Sequence, residues 1–62
     1  MKFNLYVQDG NSISIDKQCL TFAELAKEIP QFKAAQNIAS SMSVGAVFEY
    51  TDMLYHIKIE RV

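Results

Sequence analysis

The feature that most constrains this chain is a period-two alternation of apolar residues that occurs near both ends. Phe3, Leu5 and Val7 alternate with Asn4, Tyr6 and Gln8. Tyr55, Ile57 and Ile59 alternate with His56, Lys58 and Glu60. Side chains of a strand point to opposite faces in turn, so each segment predicts a strand with one buried face. Each also has a neighbour of the same kind. Ile13 and Ile15 alternate with Ser12, Ser14 and Asp16, and Phe48 and Tyr50 alternate with Val47 and Glu49.

Asp9-Gly10-Asn11 lies between the first two strands and is a strong hairpin signal. A two-residue loop would set Phe3, Leu5 and Val7 opposite serines. A three-residue loop, Asp9 to Asn11, pairs Val7 with Ile13 and Leu5 with Ile15. A single buried face requires the second arrangement. Asn11 then takes the left-handed conformation, which asparagine tolerates. In the second hairpin, a turn at Asp52-Met53 or a loop over Thr51 to Leu54 pairs Tyr50 with Tyr55, Phe48 with Ile57 and Ala46 with Ile59. The opposite face pairs Glu49 with His56 and Val47 with Lys58.

A helical segment separates the hairpins. Thr21 followed by Glu24 is a capping box, and Leu20 with Leu25 fits a hydrophobic staple across it. Phe22, Leu25, Ala26 and Ile29 share one helical face. Pro30 ends this helix near Glu28, because proline lacks an N–H and pushes Ile29 out of the α region. Pro30 can then open a second helix as its first residue. Phe32, Ala35, Ile38, Ala39 and Met42 share a face there, and Gly45 stops it.

The expected architecture is a single α+β domain over residues 1–62, ββααββ. Two hairpins form one antiparallel sheet, covered on one face by a helical segment broken at Pro30. The expected inner face is Phe3, Leu5, Val7, Ile13, Ile15, Phe48, Tyr50, Tyr55, Ile57 and Ile59. With 62 residues, the fold buries only about 60% of its unfolded surface, so every large apolar side chain matters. Half the residues are hydrophobic and 21% are charged, which suits a packed core.

Several function classes find little support. No run of apolar residues approaches the ~20 needed to cross a bilayer. Met1 to Asn4 does not read as a signal peptide. Cys19 is the only cysteine, so no internal disulfide is possible, and a reduced, cytoplasmic setting is expected. Cys19 itself reads as a small buried apolar residue just before the helix. The net charge is −1, with bases scattered along the chain, so no basic stripe faces a nucleic-acid backbone.

Catalysis would need a constellation. His56 is the only histidine, and it faces Glu49 in the expected register. Such a pair is a conceivable general base, but a flat sheet face offers no cleft to exclude water. One histidine falls short of the ligands a metal needs. Gly10 and Gly45 are the only glycines, so no phosphate-binding glycine loop is present. Small tautomerases use an N-terminal proline as base, and position 2 here is Lys2.

Phe22 to Ile29 resembles the first helix of a helix-turn-helix, with Pro30-Gln31 in place of its turn. Ile38 to Gly45 also resembles a first helix with its turn. The reading helix would then be Ala46 to Met53, which reads as strand and holds no Lys or Arg. A small nucleic-acid-binding regulator with a degenerate motif of this kind is the alternative expectation.

The first expectation is a non-catalytic protein-binding module that inhibits or regulates another protein. Phage and mobile-element proteins that block host factors are a setting for such a module. The candidate partner-binding residues are Tyr6, Gln8, Ser14, Glu49, His56 and Lys58, on the polar sheet face. No cofactor and no metal are expected. Open sheet edges and leftover apolar surface invite a homodimer.

Overall fold

The computed structural model describes residues 1–10 and 14–62. Its elements are β1 (Phe3–Asp9), β2 (Ser14–Leu20), α1 (Phe22–Glu28), α2 (Lys33–Ser40), β3 (Val47–Thr51) and β4 (Tyr55–Arg61). The four strands form one antiparallel sheet in the order β2-β1-β4-β3. The expected ββααββ α+β fold is therefore present. Its two chain-end strands, β1 and β4, lie side by side at the centre, and β2 and β3 form the edges.

The faces follow the period-two pattern. Phe3, Leu5, Val7, Ile57 and Ile59 are buried on the inner face, with Ile15, Phe48 and Tyr55 packed against them. Leu25, Ile29, Ala35, Ala39 and Met42 close the core from the helical side. Full burial of a side chain such as Leu25 is worth about 1.5–3 kcal/mol. The helices have seven and eight residues, too short to persist alone, so this packing holds them.

Both hairpin registers differ from expectation by two residues. Val7 pairs with Ile15 and Leu5 with Lys17, rather than with Ile13 and Ile15. Tyr50 pairs with Ile57 and Phe48 with Ile59, rather than with Tyr55 and Ile57. A shift of two keeps every residue on its face, so the apolar pattern alone does not distinguish the alternatives. Ile13, Asn11 and Ser12 lie outside the described residues, and so do the loop conformation and pairing expected for them.

Local chemistry accounts for the second register. The Asp52 carboxylate accepts the N–H groups of Leu54 and Tyr55, both at 2.7 Å. The Asp52 N–H donates to the Tyr55 carbonyl at 2.9 Å. Asp52 thus starts the turn instead of occupying its centre, and Met53-Leu54 forms the tip. The first register brings β2 on to Leu20, which pairs with Phe3 across a bulge. Strand β2 therefore extends past Asp16, where the alternation of Ile13 and Ile15 ends.

The capping box forms as expected. The Glu24 N–H donates to Thr21 Oγ1 at 3.2 Å, and the Thr21 N–H donates to Glu24 Oε1 at 2.8 Å. Pro30 does not open α2. Phe32 N–H donates to the Ile29 carbonyl at 3.1 Å, so Pro30 and Gln31 are the central residues of a tight turn. Helix α2 starts at Lys33, and the Gln36 side chain donates to the Ile29 carbonyl at 2.8 Å. Helix α2 ends at Ser40, ahead of Gly45. Gly45 has φ of +85° and donates its N–H to the Arg61 carbonyl at 2.7 Å as the chain enters β3. A Cβ there would meet nothing within 4 Å, so backbone conformation alone favours glycine.

Three expected core residues are exposed. Cys19 is exposed within β2, with φ of +59°. Gln18 and Cys19 together stand opposite Asn4 at the bulge, so the Cys19 side chain does not alternate into the core. Tyr50 is on the inner side of the sheet but 44% exposed, because no helix covers the β3 end of that face. Ile38 on α2 is 40% exposed.

Candidate functional site

The outer sheet face carries the six side chains singled out from the sequence, and it brings them together. Ser14, Gln8, His56 and Thr51 form one row across β2, β1, β4 and β3. Asp16, Tyr6, Lys58 and Glu49 form the row beside it. Each row takes one residue from each strand, because even positions of β1, β2 and β4 and odd positions of β3 point outward.

Glu49 stands opposite Lys58, not opposite His56 as the expected register had it. His56 faces Thr51, with Nδ1 at 3.3 Å from Thr51 Oγ1. Glu49 still reaches His56 diagonally, Oε2 to Nε2 at 3.6 Å. The Tyr6 ring meets the edge of the imidazole with centroids 6.0 Å apart. The Tyr6 hydroxyl donates to Gln8 Oε1 at 2.9 Å. Hydrogen bonds and ring contacts thus link Tyr6 to Gln8 and His56 to Tyr6 and Thr51, and Glu49 lies within ion-pair distance of His56.

The electrostatics are those of a wet surface. The His56 and Glu49 side chains are 40% and 56% exposed, so the pair is solvated. A shallow depression of about 170 Å³ lies beside them, walled by Asn4, Tyr6, Asp16, Gln18, Lys58 and Glu60. The arrangement offers alternating donors and acceptors with one aromatic ring, suited to hydrogen bonding across a flat contact. Among the described residues, no group of three or more His, Cys, Asp or Glu side chains could hold a metal ion. No helix among them is long and apolar enough to cross a membrane.

A second feature lies at the β3 edge and was not singled out from the sequence. An open groove of about 240 Å³ runs between α2 and the inner side of β3, lined by Phe32, Lys33, Ala35, Phe48, Tyr50 and Ile57. The Phe32 ring also packs edge-on against Tyr55, with centroids 5.2 Å apart. The apolar alternation of Phe48 and Tyr50 was legible, but only the strand order reveals that β3 is an uncovered edge. Thr51 was also missed as a neighbour of His56. The signal was Asp52, a residue that begins such turns.

Residues 46–53, which a helix-turn-helix would need as a reading helix, contain strand β3. Compared with protein-family models, curated proteins and solved structures, the chain finds no match in any of the three.

Proposed function

We propose that this protein is a non-catalytic protein-binding module that acts in the cytoplasm as an inhibitor or regulator of another protein. The observation that supports it is the pair of adjacent outer-face rows holding Tyr6, Gln8, Ser14, Glu49, His56 and Lys58. Tyrosine is enriched where proteins bind one another, and Tyr6 sits at the centre of this face. The polar side chains around it have both donors and acceptors to offer. The solvated His56–Glu49 pair and the flat geometry speak against chemistry at this site.

The test is capture from cell lysate on immobilised protein, with wild type compared against Tyr6→Ser and Lys58→Glu. A defined set of proteins should be retained by wild type and lost by both variants. Recovery of nucleic acid without protein, or of the same proteins by all three, would overturn the proposal.

A further inference from the structure

The two edges of the sheet are built differently. Edge β2 carries Asp16 and Lys17, and Lys17 is ion-paired to Glu28. It also carries the bulge and the positive φ of Cys19. Charges and bulges are the devices that keep an edge from pairing with another strand. Edge β3 has no bulge among its paired residues, and Glu49 is its only charged residue.

The backbone of β3 is available for pairing. Arg61 N–H donates to the Ala46 carbonyl at 3.0 Å, and Asp52 N–H donates to the Tyr55 carbonyl at 2.9 Å. Even positions therefore bond inward to β4. Alternation directs the N–H and C=O groups of Val47, Glu49 and Thr51 toward the open edge.

A second copy in full antiparallel overlap is a poor occupant. Antiparallel self-pairing with full overlap sets Val47 opposite Thr51 and Glu49 opposite Glu49. Like charges directly opposite one another destabilise a strand pair. A basic side chain opposite Glu49 does the reverse. The groove defines the other face of the incoming strand. It is walled by Phe32, Phe48 and Tyr50, and its one charged wall is Lys33, so it admits an apolar side chain and repels a base.

We infer that β3 accepts an extended segment of a partner protein as a fifth strand. The segment carries a basic residue opposite Glu49, flanked by apolar residues that face the Phe32–Tyr50 groove. The inference rests on the protein-binding role proposed above and names the partner's chemistry at the adjacent edge. Main-chain hydrogen bonds supply affinity in such strand addition, and alternate side chains supply specificity.

The test uses two capped synthetic peptides, Ser-Thr-Leu-Lys-Leu-Thr-Ser and the same sequence with Glu replacing Lys. They are titrated into ¹⁵N-labelled full-length protein. The Lys peptide should shift the amides of Val47, Glu49 and Thr51, protect them from exchange, and bind about five-fold more tightly than the Glu peptide. Glu49→Lys should reverse that order. The inference is overturned by no binding at millimolar peptide, by the same order in Glu49→Lys, or by protection along β2. It is overturned equally if concentration-dependent self-association already protects the β3 amides without peptide. If the edge inference fails while Tyr6→Ser and Lys58→Glu still abolish capture, the protein-binding role stands without it.

Discussion

The Asn4 side chain accepts a hydrogen bond from the backbone N–H of Cys19 at 3.1 Å, and Cys19 is held there at φ of +59°. Among the described residues no other non-glycine has positive φ. The left-handed conformation costs an ordinary L-residue about 1–2 kcal/mol. Asn4 thus anchors a bulge that realigns β2 so that Leu20 meets Phe3.

That placement makes opposite predictions from a buried cysteine. Cys19→Val puts a β-branched residue at positive φ, where it is a greater outlier than the cysteine it replaces, and should lower the urea midpoint. Cys19→Gly should be close to neutral, since relief of strain offsets the added freedom of the unfolded chain. A buried site would rank the two the other way. The exposed thiol should also react with a colorimetric disulfide reagent in the native state.

The capping box predicts a second effect. Thr21→Ala removes the acceptor for the Glu24 N–H and should cost about 1 kcal/mol. Helix α1 has only seven residues, so much of that cost should appear as lost helical signal at 222 nm near the unfolding midpoint.

Core and rim residues should separate cleanly. Leu25→Ala should cost about 2–5 kcal/mol, because Leu25 is fully buried and leaves a cavity. In a domain this small such a loss unfolds a large share of the population. Ile38→Ala should change stability by no more than about 0.5 kcal/mol, as expected of a surface site. Equal losses at both positions would contradict the burial described above.

Acid should weaken the fold through two carboxylates. Hydrogen bonding to the backbone of Thr21, then to its side chain, holds Glu24 below the usual carboxylate range. The N–H groups of Leu54 and Tyr55, with a smaller part from the Tyr50 hydroxyl, do the same for Asp52. Depressed folded-state values mean that their contributions are complete above the unfolded value, about 4, and are lost as pH falls through the folded one. Urea midpoints at pH 7 and pH 3 should differ less for Glu24→Gln with Asp52→Asn than for wild type. An unchanged difference would contradict these contacts.

The faces of the sheet and the helix start were legible in the sequence because each is a local rule. Phe3, Leu5, Val7, Ile57 and Ile59 alternate into the core, and Thr21 with Glu24 caps α1. The registers were not legible, since a shift of two preserves every face. Asp52 as turn starter decides the second, and the bulge that brings Leu20 opposite Phe3 goes with the Asn4–Cys19 bond, which acts over fifteen positions of sequence. The exposure of Tyr50 and Ile38 depends on strand order and on where two short helices end, which no periodicity carries. The six outer-face residues were found because parity alone places them. Their row partners Thr51 and Asp16 required the registers.

The central claim, that the outer face of the sheet is a protein interface, is tested most directly by mapping amide shifts of the labelled protein on adding its captured partner. The account predicts the largest changes at Tyr6, Gln8, Ser14, Glu49, His56 and Lys58. Changes centred instead on the helical side, at Lys27, Gln36 and Ser40, with that sheet face unmoved, would contradict it.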